Sequence, residues 1–479
     1  MSETLSSNKS NRPACLKRGP GWLMFAICLI GTVSAFYPHG ALNVLLPVIG
    51  AELGISTSLI VIINIAVSLV SAVLTLPFGR LGDRIGYQKL FIGGQIVLII
   101  GNFLSAFLST NFAFLIVFRC LIAVGAGMVQ SVVQAMLSQA YPNSRGRMMG
   151  LYSMSVSYSG ACAPLISAAL SDSINWRMAL LFGVIFSIIA LILAILFLGK
   201  FECKEAKSDN LGTLLLVITM SSLLMALNAR TITMPFYVIV GLCVVFIISF
   251  LIFIKVENKS QAPLLDFKLL KSKQFTLGFL GCLISYVVTT GTNTALPFFI
   301  QNIRGATPTI SSLCTIWFTL VMGTLGPFTG GWSDKKGPYR FMLPATIIQL
   351  VVHCVFIFLG ESTPLILIAG FVVIYGIAGG LFYAPCTSMV MGSVPPSSGG
   401  VASGMMSTSR NLGSAFGATI FSLCVGLFNG REDLTANQQY LYGQRISMII
   451  MAVLTLVNIS LMAYLFVKNH KNQVANSKI

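Results

Sequence analysis

The chain has 479 residues, of which 56% are hydrophobic and only 9% are charged. An average soluble domain is about 45–50% apolar and about 25% charged, so this composition excludes a soluble globular protein. The net charge of +17 does not indicate nucleic-acid binding, because the 30 lysines and arginines are scattered in short groups between long apolar stretches. The composition therefore predicts a protein that is covered largely by lipid.

Apolar stretches of about 20 residues, the length that crosses a bilayer, recur along the whole chain. We assign fourteen predicted spans, numbered in chain order: 22–48, 57–78, 90–108, 112–138, 148–170, 178–199, 211–228, 234–254, 275–300, 309–330, 340–360, 364–392, 401–428 and 444–467. The first span follows Arg12, Lys17 and Arg18 and is too long for the apolar core of a signal peptide. We therefore expect it to stay in the mature protein.

Basic residues alternate between the two sides that these spans define. If the N-terminus is cytoplasmic, 23 of the 30 lysines and arginines lie in inner segments and five in outer loops, while Arg119 and Arg410 fall inside spans. Positive charge is enriched on the cytoplasmic side of membrane proteins. We predict a multi-pass protein of the cell membrane with both termini in the cytoplasm.

An internal repeat divides the chain into two similar halves. The segment GRLGDRIG at 79–86 follows span 2, and GGWSDKKG at 330–337 follows span 10, with glycine, acid, base and glycine in the same register. A weaker echo pairs PNSRG at 142–146, after span 4, with PPSSG at 395–399, after span 12. Repeats of this kind indicate two homologous bundles of helices.

The repeat predicts an all-α integral membrane protein built from two six-helix bundles and two inserted helices. The predicted parts are a cytoplasmic tail at 1–21, an N-terminal bundle at 22–199, a linker with the two inserted transmembrane helices at 200–274, a C-terminal bundle at 275–467 and a cytoplasmic tail at 468–479. The cysteines stand mostly alone in apolar runs, so we expect neither a disulfide framework nor a metal site.

Several motifs resemble one known family. The loop at 79–86, repeated degenerately at 330–337, resembles the cytoplasmic signature loop of the major facilitator superfamily. The fourteen spans and five further motifs are similar to its fourteen-helix drug/proton antiporter branch: NVLLP at 43–47, APLLD at 262–266, LPFFIQ at 296–301, ASG at 402–404 and RNLG at 410–413. The resemblance implies the major facilitator fold and a secondary transporter that works by alternating access, without a cofactor.

The signature loop has a physical interpretation of its own. Its glycines permit close backbone approach at a tight turn, and Asp83 offers a carboxylate that can cap a helix N-terminus or pair with a base. In the resembling family this loop interlocks the two halves, a role that we carry to Asp83 and Arg84; the alternative is a simple topology anchor. The predicted cytoplasmic gate comprises Gly79, Asp83, Arg84, Gly86, Asp334 and Arg410. We expect Arg410 to be a snorkelling or helix-end residue near the start of span 13.

No carboxylate lies in the middle of a predicted span. The resembling family usually has an aspartate in span 1 at the position of Pro38, next to His39. Histidine titrates near neutral pH, so His39 is either the proton-coupling group or a neutral packing residue. Arg119 resembles the span 4 arginine of the family and acts either electrostatically or in helix pairing. The predicted substrate and proton pathway comprises His39, Asn43, Arg119, Gln130 and Asn293.

Two classes of function fit these features. One is a secondary transporter and the other is a receptor or scaffold with the same fold. The sequence has no phosphate-binding loop, no nucleophile elbow and no metal-ligand spacing, so it does not indicate an ATP-driven pump or an enzyme. Within transport, the resemblance implies proton-driven export of lipophilic drugs or other small organic compounds. The alternative is a uniporter or a carrier of organic anions that is not coupled to protons. We expect no enzymatic activity, no nucleic-acid partner and a monomer.

Overall fold

The computed structural model describes residues 20–53, 57–199, 201, 210–229, 234–259, 267–428 and 434–476. Most of the predicted N-terminal tail and the motif at 262–266 lie outside these residues. Within them, fourteen helices have 19 residues or more. They are α1 (Trp22–Leu53), α2 (Thr57–Ile85), α3 (Tyr87–Phe107), α4 (Phe112–Ala140), α5 (Arg145–Ser173), α6 (Trp176–Phe197), α7 (Asn210–Asn228), α8 (Phe236–Lys259), α9 (Lys273–Phe298), α10 (Pro308–Lys336), α11 (Tyr339–Ile357), α12 (Leu365–Gly392), α13 (Gly399–Gly426) and α14 (Ala436–Asn476). Each predicted span falls on one of them.

Local sequence sets where these helices begin and end. Asn111 caps α4, because its side chain accepts a hydrogen bond from the backbone N–H of Phe114. The breaks between α2 and α3 and between α10 and α11 fall at Gly86 and Gly337, whose φ angles are 99° and 84°. Only glycine adopts this region readily. Since both glycines occupy the same place in the repeated loops, the repeat extends to backbone conformation.

The long helices form two bundles with an approximate two-fold relationship. Helices α1–α6 pack on one another, and so do α9–α14. The bundles meet where α2 packs on α13 and where α5 packs on α10. Each helix of the first bundle corresponds to the helix numbered eight higher in the second, so α2 corresponds to α10 and α5 corresponds to α13. The contact of α2 with α13 is therefore equivalent to the contact of α10 with α5. In the same way, the contact of α4 with α13 is equivalent to the contact of α12 with α5.

The two inserted helices lie at the edge of the bundle interface. Helix α7 packs on α2, α13 and α8. Helix α8 exposes large apolar side chains along its length, including Phe236, Ile247 and Leu251. Contiguous apolar surface of this extent needs a lipid covering. The insertion therefore lies beside one seam of the interface and extends outward from it.

Ten helices among the described residues are long and apolar enough to cross a membrane. The apolar part of α7, Leu211–Leu227, is shorter than these ten segments. Helices α5 and α13 face the opposite bundle and are rich in serine and glycine, which allow the helices to approach closely. The chain is a multi-pass membrane protein with an all-helical, two-bundle fold.

Candidate functional site

The Asp83 carboxylate joins the two bundles at one end of the molecule. Its oxygens accept hydrogen bonds from the backbone N–H groups of Gly400 (2.7 Å) and Val401 (2.8 Å) in the first turn of α13. The Tyr87 hydroxyl donates to the same carboxylate (2.6 Å). A helix N-terminus has unpaired N–H groups and partial positive charge, which favour a carboxylate. Asp83 therefore fastens the end of α2 to the start of α13.

Asp334 makes the equivalent contact in the second half. Its oxygens accept hydrogen bonds from the backbone N–H groups of Gly146 (2.6 Å) and Arg147 (3.0 Å) in the first turn of α5. The end of α10 is thereby fastened to the start of α5. We call these contacts the Asp83 lock and the Asp334 lock, and the end of the bundles that carries them the signature end. Asp83 is 1% exposed, whereas Asp334 is exposed to solvent.

Glycines bring the backbones together at both locks. A Cβ atom on Gly79 would collide with the carbonyl oxygen of Gly400, and one on Gly330 would collide with that of Gly146. A side chain at any of these positions would push the helices apart and lengthen the hydrogen bonds of the lock. The glycines of the signature loop therefore serve helix approach as well as the turn.

The weaker repeat supplies the helix ends that the carboxylates bind. Short 3₁₀ turns at Pro142–Ser144 and Pro396–Ser398 lead directly into α5 and α13. The equivalent segments are thus 142–146 and 396–400, both of the form P-x-S-x-G. This corrects the predicted pairing of 142–146 with 395–399 by one residue, because the second proline, not the first, begins the turn.

The locks hold the signature end closed. Among the described residues, the remaining hydrogen bonds between α1–α6 and α9–α14 also lie in the half of the bundles toward this end; they include Gln139 to Pro396 and Tyr158 to Thr324. Arg84 is exposed and makes no hydrogen bond or ion pair with the described residues. The structure therefore places Asp83 in the lock and Arg84 outside it.

The protonation of Asp83 depends on the lock. Asp83 lies beyond the predicted span 57–78, and burial raises its pKa to about 6, although the hydrogen bonds it accepts lower the pKa. When Asp83 is protonated, its O–H can donate a hydrogen bond to the Tyr87 hydroxyl, and its oxygens can still accept both backbone hydrogen bonds. The Tyr87 hydroxyl then donates to the carbonyl oxygen of Pro396, 3.3 Å away. Opening the lock exposes the carboxyl and returns its pKa toward 3.8. Opening at a pH between about 4 and 6 therefore releases a proton.

We expect the locked state to gain population as the pH at the signature end falls. Because the pKa of Asp83 is higher in the locked state, lowering the pH from 7 to 5 favours that state by about tenfold, with little change above pH 7. Spin labels at Lys89 and Pro395, both exposed, would report the distance across this end in protein lacking its exposed native cysteines. Tyr87→Phe should strengthen the pH response, because it removes a hydrogen bond that lowers the pKa of Asp83 in the locked state. A distance distribution that is constant from pH 5 to 7 contradicts the assignment.

Arg410 lies at the junction of the bundles and not at a helix end. It is 11 residues beyond the start of α13, about 16 Å along the helix axis. Its guanidinium donates to the Tyr152 hydroxyl on α5 and to Gln130 Oε1 on α4, both at 3.3 Å. It also lies 5.1 Å from the ring centroid of Phe36 on α1. The expected helix-end position is therefore wrong. Arg410 lies in the interface between the two bundles, deeper in the protein than the locks.

Aromatic rings of the C-terminal bundle continue this site. Tyr286 on α9 interacts with Arg410 and stacks on Tyr383 of α12, with ring centroids 4.7 Å apart. The hydroxyl of Tyr383 lies 2.9 Å from Thr289 Oγ1. The only ion pair among the described residues joins Arg177 and Glu52, so Arg410 has no carboxylate partner there. Sequence analysis missed these tyrosines, because aromatic residues in an apolar span resemble ordinary packing.

His39 lies in α1, one turn beyond Phe36, and is partly exposed. Its Nε2 is 3.3 Å from Ser71 Oγ, and the ring also interacts with the backbone carbonyl of Ala35. Arg119 and Arg410 both interact electrostatically with the ring. Arg119 is 1% exposed, and its Nε and Nη2 atoms lack partners among the described residues. The structure thus brings the predicted histidine and both arginines into one polar region.

The other predicted pathway residues are less closely connected. Gln130 belongs to the Arg410 junction. Asn293 is half-buried and lies on the helical face of Tyr286, but it makes no hydrogen bond with the described residues. Asn43 is in α1, and its side chain lies outside the described residues. His353 is fully buried in the C-terminal bundle, where Thr292 Oγ1 is 3.0 Å from its Nε2.

Two symmetric helical bundles, closed on each other at one end around a polar centre, define a multi-pass membrane transporter. The family is shown by sequence comparison. The chain belongs to the Major Facilitator Superfamily, whose model matches residues 28–418 and again 278–479. Members of this family are transporters and not enzymes.

Named relatives agree with this assignment. The chain is 28% identical over 422 residues to the riboflavin transporter RibZ of Clostridioides difficile (strain 630), covering 88% of this chain and 90% of that one. It is 26% identical over 405 residues to the multidrug export protein EmrB of Escherichia coli (strain K12), covering 82% and 77%. The resemblance to the fourteen-helix drug/proton antiporter branch is therefore confirmed. The human organic anion transporter MFSD10 has the same fold, with a TM-score of 0.66 at 16% identity, covering 93% of this chain and 100% of that one.

Proposed function

We propose that the protein is a secondary transporter that exports small organic compounds across the cell membrane in exchange for protons, by alternating access. The observation that carries the proposal is the pair of symmetric locks at Asp83 and Asp334. Each lock consists of one carboxylate on a helix N-terminus, so both can open when the bundles rotate as rigid bodies. The closed signature end corresponds to one of the two alternating states.

The proposed orientation places the signature end in the cytoplasm. Basic residues are concentrated in the segments on that side of the fourteen proposed spans, including both signature loops. In the closed state the polar centre around Arg410 is then reached from outside the cell, and opening of the locks exposes it to the cytoplasm. One chain contains both bundles and the pathway between them, so we propose that a monomer suffices.

Compounds bind, in this proposal, against the surface formed by Arg410, Gln130 and the stacked rings of Tyr286 and Tyr383. Aromatic faces accept flat, lipophilic molecules, and the unpaired guanidinium favours neutral or anionic ones. The lack of a carboxylate partner for Arg410 among the described residues also favours a second candidate, a carrier of organic anions that is not coupled to protons. The two candidates differ in their response to a proton gradient.

We propose His39 as the coupling group. Vesicles containing the purified protein, with an acidic interior, are expected to accumulate the neutral dye Nile red or the anionic dye fluorescein. The limit is about tenfold per pH unit if one proton is exchanged per molecule. His39→Gln stays polar but does not titrate near neutral pH, so its accumulation ratio should fall to about 1 while downhill equilibration continues.

The matched control is His353→Gln, which removes the other described intramembrane histidine. It should keep the gradient dependence, because the imidazole of His353 contacts Thr292 and Tyr375 and not Arg410. If accumulation is lost in His353→Gln and retained in His39→Gln, the coupling site lies in the C-terminal bundle and not at His39. If accumulation by the wild-type protein does not depend on the proton gradient, the result supports the uncoupled carrier of organic anions and contradicts proton-coupled exchange.

A further inference from the structure

A cavity of about 370 Å³ opens at the signature end of the C-terminal bundle. It lies at the meeting point of α9, α11 and α14, which do not carry the locks. Its walls come from the start of α9 at 271–274, from Tyr339 at the start of α11, and from Leu465 and Lys468 near the end of α14. The cavity is therefore separate from the Arg410 junction.

The lining of this cavity suits an anion. Lys271, Lys273 and Lys468 contribute three positive charges, and none of the lining residues is acidic. The ammonium group of Lys273 is positioned by the Tyr464 hydroxyl, 3.1 Å away, and lies 5.7 Å from the centroid of that ring. The N-terminus of α9 adds the partial positive charge of its helix dipole. Three lysines in the lining of one concave site fit a phosphate group.

The cavity lies at the level where the apolar segments end. The three apolar segments that meet there begin at Lys273, begin at Tyr339 and end at Lys468. That level corresponds to the headgroup region of a bilayer. Next to the cavity, α14 exposes 47% of Tyr464 and 51% of Val467, and the exposed apolar face continues along the helix. A ligand that follows both surfaces has an anionic head and an apolar tail.

We propose that this cavity binds the phosphate headgroup of an anionic glycerophospholipid, with its acyl chains along the exposed face of α14. A free phosphate ion satisfies the lysines but leaves the apolar face of α14 unused, so the lipid is the occupant that fits both surfaces. Tyr339 is separated from the loop 330–337 by one residue, Pro338. A bound headgroup therefore lies next to the segment that carries the Asp334 lock.

The test uses the full-length protein in mixed micelles of phosphatidylglycerol and phosphatidylcholine, with retained lipids counted by native mass spectrometry. Wild-type protein is expected to retain phosphatidylglycerol in preference to phosphatidylcholine. The double variant Lys271→Gln, Lys468→Gln should lower the affinity for phosphatidylglycerol about 30-fold, because each lysine at a membrane surface contributes about a factor of five. The control Lys89→Gln, Lys255→Gln removes two exposed lysines elsewhere and should leave the retention unchanged.

Three results would overturn the proposal. Equal loss in both double variants would indicate attraction to net charge and not a site. Equal retention of the two lipids by wild-type protein would exclude recognition of an anionic head. Displacement of phosphatidylglycerol by millimolar inorganic phosphate or glycerol 3-phosphate would show that the cavity binds free phosphate without using the acyl chains. Thermal unfolding of each variant, measured in phosphatidylcholine alone, verifies that the proteins are folded.

Discussion

Asp83→Asn is expected to slow transport about tenfold or more while the protein still folds and binds its compound. An asparagine oxygen can accept only one of the two hydrogen bonds that α13 donates, and its NH₂ group then faces the other backbone N–H. Losing a hydrogen bond to a charged group destabilises the locked state by a factor of about 10 to 100. Turnover should suffer more than affinity, because the centre around Arg410 is not part of the lock. Initial transport rates and equilibrium binding on the same vesicles separate the two effects.

The chain contains matched controls for this experiment. Arg84→Gln removes the charge next to Asp83 but touches no lock, so its turnover should equal that of the wild type. Asp334→Asn breaks the second lock, whose carboxylate is exposed and competes with water. Its effect should therefore be smaller than that of Asp83→Asn. If Asp83→Asn transports at the wild-type rate, the Asp83 lock has no role in the transport cycle.

The sequence was sufficient to predict the helices and the two halves, because a bilayer imposes a simple length and hydropathy on every crossing. It also predicted one partner of each lock. The other partner was present only as the weak P-x-S-x-G echo at 142–146 and 396–400, since a helix N-terminus binds through backbone N–H groups that leave little trace in side-chain identity. Asp83 and Asp334 are thus readable from the sequence, whereas Gly400 and Gly146 become functional only through the fold.

The centre of the molecule was harder to predict. Arg410 was expected near a helix end, because its span was assumed to begin at 401 and its partners lie on other helices. Tyr152, Gln130 and Phe36 are each more than 250 residues away in the chain. Only the packing of α13 against α4, and of α5 against α10 and α12, brings them to the guanidinium. Pairwise contacts of this kind follow from the crossing of helices, which hydropathy does not specify.

Arg410→Gln is expected to weaken binding of anionic compounds about 10- to 100-fold and of neutral compounds about threefold or less. The hydrogen bonds from Arg410 to Tyr152 and Gln130 are long, at 3.3 Å, so the guanidinium retains donor capacity for a ligand. A bond between two charged groups is worth more than one to a neutral group, which gives the difference between the two classes of compound. Arg410→Lys keeps the charge but loses the planar fork and should fall between the two.

The same site predicts the charge preference of the wild-type protein. Arg119, His39 and Arg410 make the centre neutral to positive, and no described carboxylate lies there to hold a cation. In competition assays on vesicles, the dication propidium should therefore bind more weakly than fluorescein or Nile red. Arg410→Gln should narrow this difference by removing one positive charge. If propidium binds best to the wild type, or if Arg410→Gln weakens all three dyes equally, Arg410 shapes the cavity without selecting the charge of what enters it.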